Sequence, residues 1–91
     1  MSRVIVEKPT PEKLEALGVN RWPIWSKEVS RFPWSFGTQE IAYILDGEVT
    51  ITPNDGSGDV SFTAGDLVTF PAGLSCTWNV KKALRKHYQL G

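Results

Sequence analysis

The sequence has few of the features that mark secreted, membrane-spanning or nucleic-acid-binding proteins. It contains one cysteine, Cys76, so an internal disulfide, a zinc cluster and a Cys-x-x-Cys redox motif cannot form around it. Ten Lys and Arg balance ten Asp and Glu, and this formal net charge of zero lacks the positive excess of a nucleic-acid-binding protein. The longest apolar runs are short, such as residues 41–45, whereas a membrane-spanning helix needs about 20 apolar residues.

The N-terminal segment also lacks the apolar stretch of a cleaved signal peptide, because no such region follows Arg3. We therefore expect a soluble, cytoplasmic protein that binds neither nucleic acid nor a membrane and whose core is held by packing alone. The length of 91 residues and the 41% hydrophobic content suit one small domain. We expect residues 1–20 to form a strand and a helix that pack on a barrel formed by residues 21–91.

One segment near the N-terminus carries both a start and a stop signal for a helix. Thr10 can cap the first turn, Pro11 suits the first helical position, and Gly18 can adopt the left-handed conformation after the last turn. A helix this short is marginal alone, so we expect Leu14 and Leu17 to dock against the rest of the domain.

From Arg21 onward, short apolar segments alternate with turn residues, which is typical of an all-β sandwich or barrel. The predicted strands span residues 4–6, 24–29, 34–36, 40–45, 49–52, 60–62, 67–70, 75–80 and 84–90. Asp46-Gly47 predicts a two-residue hairpin between the strands 40–45 and 49–52, since glycine accepts a positive φ. Residues 53–59 form a polar, glycine-rich loop, which we expect to be the most mobile segment.

Turn residues flank several of these strands. Gly65 and Gly73, like Gly47, are expected to have positive or otherwise permissive φ angles. Asp66, which follows the first of them, is expected to bond nearby backbone N–H groups and so to be structural.

The alternation within two strands predicts which side chains face the interior. In residues 40–45, Glu40 shares a face with Ala42 and Ile44, and the opposite face is also apolar, which predicts a strand covered on both sides. In residues 75–80, Cys76 and Trp78 share the interior face.

Five aromatic residues lie within fifteen positions near the start of the predicted barrel: Trp22, Trp25, Phe32, Trp34 and Phe36. They fit a core that plugs one end of the barrel. Alternatively, some of them line a cavity, because ligand pockets are mostly apolar and aromatic with a few placed polar groups.

Two spacings resemble the motifs of the small single-domain RmlC-like cupins. Glu40 is followed after six residues by a glycine at position 47, and a second motif runs from Gly65 through Pro71 and Gly73 to Cys76. The resemblance extends over nearly the whole chain and is greatest to the branch that includes (S)-ureidoglycine aminohydrolase and the ethanolamine-utilisation cupins. It implies an all-β double-stranded β-helix, or jelly-roll barrel, with one short N-terminal helix and a small-molecule ligand.

Many cupins bind a divalent metal through a His-x-His pair, the motif Glu and a third His. In this chain the paired positions fall on Trp34 and Phe36, or on Pro33 and Ser35 with a longer spacer, and the third position is Cys76. Of that ligand set Glu40 alone is retained, with the Cys76 thiolate as a soft substitute. Two donors do not make a tight site, so we expect no histidine-based metal centre; Glu40 and Cys76 remain the candidate ligands for a divalent metal.

Four side chains are candidates for chemistry. Glu40 in an aromatic barrel would have a raised pKa and act as a general acid or base, or else it is a buried carboxylate paired with a basic group or an indole N–H. Cys76 is a nucleophile, a ligand or a buried filler, and His87 is the one imidazole that could activate it. As a lone histidine, His87 also fits a surface or hydrogen-bonded role. If Lys86 points inward, it can pair with Glu40.

The last strand presents either Arg85, His87 and Gln89 or Lys86, Tyr88 and Leu90 to the interior, and the sequence does not choose between them. The predicted ligand pocket is lined by Trp34, Phe36, Glu40, Cys76, Trp78, Lys86 and Tyr88.

Three functions follow as hypotheses. The first is a binding or sensing cupin for a sugar-like or ureide-like molecule. The second is an enzyme on such a metabolite with Glu40 as acid/base, with or without a metal, and the third is a structural or partner-binding module with a filled barrel. Cupins often pair through an edge strand, so residues 4–6 are a candidate contact in a homodimer.

Overall fold

The computed structural model of the chain describes residues 3–91. Its elements are β1 (Ile5–Glu7), α1 (Pro11–Leu17), a 3-10 turn (Val19–Arg21), β2 (Ile24–Lys27), β3 (Ser30–Ser35), β4 (Glu40–Pro53), β5 (Val60–Thr63), β6 (Leu67–Phe70) and β7 (Ser75–Leu90). The fold is all-β with one short helix, as predicted.

Every strand pair is antiparallel, in the order β1-β6-β4-β7-β2, with β3 also on β7 and β5 also on β4. The two longest strands, β4 and β7, pair along their length from Glu40 opposite Leu90 to Pro53 opposite Cys76. On its other edge, each of these two strands pairs with one strand along its first half and with another along its second half. The first half of β4 pairs with β6 and its second half with β5. The first half of β7 pairs with β3 and its second half with β2, so β2, β3, β5 and β6 each pair directly with one of the two long strands.

The predicted hairpin at Asp46-Gly47 is wrong, because residues 40–53 are one strand and residues 75–90 are another. The register of β4 against β7 shifts at three places between Ile44 and Val49, which are β-bulges rather than a reversal of the chain. Gly47 does have the expected positive φ, 114°. It lies against β7, where an added Cβ would stand 2.7 Å from the carbonyl oxygen of Ala83, so this glycine permits a bulge and a close backbone approach.

Several strands begin or end at residues other than those predicted. The strand predicted over residues 34–36 runs from Ser30 to Ser35 and includes Pro33. Proline is tolerated there because, among the described strands, β3 pairs with β7 alone and is an edge strand. The strand predicted over 24–29 ends at Lys27, the N-terminal strand is shifted to Ile5–Glu7, and Pro53 belongs to β4.

The helix forms as its capping residues predict. The Thr10 hydroxyl accepts a hydrogen bond from the backbone N–H of Lys13 at 3.2 Å, and Gly18 ends the helix with φ 71°. The expectation that both leucines dock is wrong for Leu17, which is 36% exposed; Leu14 is half-buried. The segment is anchored instead by Val19, which follows the helix and is 2% exposed.

The core is a cluster of buried apolar side chains contributed mainly by β4, β6 and β7. Cys76 and Trp78 are buried on the interior face of β7, as predicted, and Glu40, Ala42 and Ile44 are buried on β4. The opposite face of β4 is half-buried, so this strand is covered fully on one side and partly on the other.

The turn before β6 confirms the prediction that Asp66 has a structural role. The Asp66 carboxylate accepts a hydrogen bond from the backbone N–H of Thr63 at 2.8 Å and pairs with Lys8 at 2.5 Å. Gly65 and Gly73 have positive φ angles of 92° and 85°. The helical segments within residues 3–91 fall short of the length and hydropathy that a membrane span requires.

Candidate functional site

A cavity of about 240 Å³ lies at the end of the barrel where β2, β3, the start of β4 and β7 meet. Its lining residues are Trp25, Phe32, Trp34, Glu40, Trp78, Lys86, Tyr88 and Leu90. Aromatic rings form most of the wall, and the charged groups in it are one amine and one carboxylate.

The two charged side chains contact each other. The Lys86 Nζ donates a hydrogen bond to the Glu40 Oε2 at 2.5 Å, and their side chains are 6% and 8% exposed. The strand register places Ile44, not Glu40, opposite Lys86, so the long lysine side chain reaches diagonally along the inner face of β4. The structure therefore places Lys86 and Tyr88 inward, which answers the question that the sequence left open.

Aromatic rings surround the Lys86 amine. Its Nζ lies 5.1 Å from the ring centroid of Trp78, 5.2 Å from that of Trp25, and 5.8 Å from those of Phe70 and Tyr88. These distances fall within the range of cation–π attraction. Burial nevertheless lowers the pKa of Lys86 below its ordinary value, and the Glu40 carboxylate opposes that shift. The amine is thus held in surroundings where its positive charge is costly.

Cross-strand pairing explains which aromatic residues line the cavity. Trp25 on β2 lies opposite Lys86, and Phe32 on β3 lies opposite Trp78. The ring of Phe32 stacks on Trp78 with centroids 6.0 Å apart. Trp34 is 51% exposed beside the cavity, so the wall is open to solvent on that side.

The structure differs from the predicted pocket at two residues. Phe36 is 4% exposed and stacks on Phe70 at 4.7 Å inside the core, and Cys76 is 1% exposed; neither lines the cavity. Phe36 packs instead against Phe70 and Trp78 in the core, and Cys76 is almost fully buried two residues before Trp78 on β7.

Three lining residues were missing from the prediction: Trp25, Phe32 and Leu90. The aromatic cluster near the start of the barrel was the available signal for the first two of them. For Leu90 the signal was its alternation with Lys86 and Tyr88.

Cys76 and His87 do not form a catalytic pair. His87 lies on the other face of β7, where its Nδ1 bonds the carbonyl oxygen of Trp22 at 2.9 Å, a hydrogen-bonded role that the sequence allowed. Burial raises the pKa of the Cys76 thiol, with a smaller opposing effect from Trp78. A buried, protonated thiol without a base is a packing residue.

One buried indole donor has no ordinary hydrogen-bond partner. Among the described residues, Trp78 Nε1 is a buried side-chain polar atom without a hydrogen-bond partner. The Cys76 sulfur is a weak acceptor for it, because a side-chain hydrogen bond from Trp78 is what opposes the rise in the pKa of that thiol.

The side chains do not fit a cupin metal centre. Trp34 and Phe36 carry no donor for a metal, and the Glu40 carboxylate is engaged by Lys86. Over residues 3–91, no three His, Cys, Asp or Glu side chains are grouped closely enough to hold a metal ion.

A family model for the EutQ-like cupin domain matches residues 14–88, most of the chain. The chain belongs to this EutQ-like cupin family. The jelly-roll barrel that the sequence motifs implied is therefore the fold of the protein.

Solved structures agree with this assignment. A DUF861 family protein of Thermotoga maritima is 54% identical, with a TM-score of 0.95 over 98% of this chain and 100% of its own. The EutQ protein of Clostridium difficile is 25% identical, with a TM-score of 0.66 over 74% of this chain and 52% of its own. A putative ethanolamine utilization protein Q of Salmonella typhimurium is also 25% identical, with a TM-score of 0.65 over 74% of this chain and 53% of its own. This cupin thus spans about half the length of those two EutQ chains. None of the curated proteins matches it.

Proposed function

We propose that this cupin binds a small molecule in the aromatic cavity at the end of its barrel. The observation that carries the proposal is the buried Lys86–Glu40 pair in a wall otherwise made of aromatic and aliphatic groups. Taking two charges out of water costs several kcal/mol per ion, and a buried pair often stabilises no better than apolar residues of similar volume. A pair placed at a cavity is better explained by recognition of a ligand than by stability of the fold.

The size and lining of the cavity limit the ligand. The cavity volume is about 240 Å³. Sites for drug-sized molecules typically measure about 300–1,000 Å³, so this cavity suits a smaller ligand. The rings of Trp25, Trp34 and Trp78 offer flat surfaces for a planar group or a sugar ring. Lys86 offers hydrogen-bond donors and Glu40 acceptors, which suits a small polar, sugar-like or ureide-like molecule without a large net charge.

An enzymatic role for Glu40 is the second candidate. Because its carboxylate accepts a hydrogen bond from Lys86, the pair is the unit that would transfer a proton, rather than Glu40 alone. Glu40→Gln tests this role: retention of full turnover on any substrate found would exclude it.

The proposal of binding is tested by thermal unfolding with a panel of small polar metabolites. A ligand at ten times its dissociation constant stabilises a protein by about 1.4 kcal/mol. In a domain of this size that is a rise of several degrees in Tm.

A matched pair of variants assigns the effect to the cavity. Trp34 and Ile24 are each 51% exposed, but Trp34 lines the cavity and Ile24 does not. We expect a ligand to stabilise the wild type and Ile24→Ala, and to stabilise Trp34→Ala much less. A panel in which no compound raises Tm, or an effect equal in the two variants, would contradict the proposal.

A further inference from the structure

The cavity wall holds a buried amine and a carboxylate in direct contact, which is an arrangement suited to carbonyl chemistry. We infer that Lys86 forms a reversible imine with a small aldehyde or ketone held in the cavity. The inference rests on the proposed binding function and names its ligand class.

The amine can meet a ligand. Lys86 lines the cavity, and its side chain is 6% exposed. An exposed lysine in neutral water is an ammonium ion without a free electron pair. A lysine desolvated in an apolar pocket is easier to deprotonate and becomes a nucleophile. The direction in which burial moves the pKa of Lys86 agrees with this requirement.

Glu40 supplies the proton transfers that imine formation requires. It first accepts a proton from the Lys86 ammonium, and the neutral amine attacks the carbonyl carbon to form a carbinolamine. The Glu40 carboxylic acid then returns the proton to the carbinolamine hydroxyl, which leaves as water. The reaction converts the ammonium–carboxylate pair and a carbonyl compound into an iminium–carboxylate pair and one water, so atoms and charge balance without an oxidant or reductant.

The surroundings of Lys86 suit the iminium product as well as the ammonium ion. An iminium nitrogen keeps the positive charge close to where the ammonium held it, 2.5 Å from Glu40 Oε2 and within 5.8 Å of four ring centroids. The cation–π and ionic contacts are therefore available to both states.

A carboxylate ligand fits less well than a carbonyl compound. The charge of Lys86 is already compensated by Glu40, so an added anion would place a second negative charge beside one buried cation. A neutral aldehyde or ketone brings no charge into the cavity.

Reductive trapping tests the inference on the wild-type protein. The protein is incubated at neutral pH with benzaldehyde and cyanoborohydride, and modified lysines are located by peptide mass spectrometry. Lys81 and Lys82, which are exposed on the same strand, serve as comparators in the same sample. We expect modification of Lys86 to exceed that of both comparators several-fold. Modification of Lys86 at or below their level would overturn the inference.

Two controls separate failure of the inference from failure of the proposed function. Benzyl alcohol has the same ring without a carbonyl, and in excess it should raise Tm and reduce trapping at Lys86 but not at Lys81. If benzyl alcohol raises Tm and benzaldehyde does not modify Lys86, binding stands and the imine is excluded. If benzyl alcohol does not raise Tm and benzaldehyde does not modify Lys86, the results count against both the imine and the proposed binding function. Lys86→Arg should keep the positive charge and lose the trapped product, and the wild-type comparison decides the matter if that variant fails to fold.

Discussion

The amine of Lys86 and the carboxylate of Glu40 lie 2.5 Å apart in the wall of the barrel cavity, although neither residue is the direct cross-strand partner of the other. Their contact depends on the length of the lysine side chain and on the inner faces that β4 and β7 share. It places one compensated charge pair among aromatic rings.

Removing one member of the pair should destabilise the fold strongly. Lys86→Met leaves the Glu40 carboxylate buried without its partner, and breaking a buried pair in this way costs about 3–5 kcal/mol. Lys82→Met is the matched control, because Lys82 is 75% exposed and lies 3.8 Å from Glu48 at the surface. A surface pair of this kind contributes less than about 1 kcal/mol. Urea unfolding measures both values.

The double variant Glu40→Leu with Lys86→Met should recover most of that loss, since two apolar side chains leave no uncompensated charge. Equal losses of unfolding free energy in Lys86→Met and Lys82→Met would show that the buried pair matters no more for stability than the surface pair.

Gly47 should tolerate substitution far less well than Gly56. Both have a positive φ, 114° and 78°, and so share a backbone cost in a Gly→Ala variant. A Cβ at Gly47 would also stand 2.7 Å from the Ala83 carbonyl oxygen, whereas at Gly56 it would meet open space. We expect Gly56→Ala to lose about 1 kcal/mol and Gly47→Ala to lose clearly more or to fail to fold. Similar midpoints in urea would refute the close approach of β4 and β7.

Cys76 should make stability depend on pH in the alkaline range. Burial raises the pKa of its thiol in the folded state, so the thiol stays protonated after the unfolded chain ionises at about pH 8.5. The stability that the buried thiol contributes is therefore fully present below that pH and is lost as the pH rises above it. We expect the stability of the wild type relative to Cys76→Ala to fall between neutral pH and about pH 10. A difference independent of pH, measured by urea unfolding, would show that the thiol is not shielded.

The N-terminal edge strand is the proposed contact in a homodimer. β1 pairs with β6 on one side and ends the strand order, and its residues Ile5 and Val6 are 50% and 38% exposed. Lysine on an edge strand disfavours pairing between chains. We expect Ile5→Lys to lower the mass measured by light scattering, and Val29→Lys, at a 63% exposed position between β2 and β3, to leave it unchanged. A monomeric wild type at high micromolar concentration would exclude the dimer.

The elements predicted well are those whose signals are local. The cap at Thr10, the left-handed Gly18 and the alternation around Trp78 each depend on residues close in sequence, and the structure has all three. The hairpin at Asp46-Gly47 failed because a positive φ suits a bulge as well as a turn. The choice between them depends on β7, which is distant in sequence.

The cavity could be predicted in part. Trp34, Glu40 and Trp78 follow from the motif and the strand alternation, but Trp25 and Phe32 reach the wall through the pairing of β2 and β3 with β7. That register is a property of the assembled sheet. The sequence also did not show which face of the last strand points inward, because both faces carry buried polar residues, Lys86 on one and His87 on the other.

Nuclear magnetic resonance of the four indole N–H groups shows whether a ligand occupies the cavity. Trp25, Trp34 and Trp78 line the cavity, whereas Trp22 is buried elsewhere and is an internal control. With a ligand that raises Tm added to nitrogen-15-labelled protein, we expect the three cavity indole signals to shift and that of Trp22 to stay in place. Shifts confined to Trp22, or no shift of any indole at a saturating concentration, would contradict binding in the cavity.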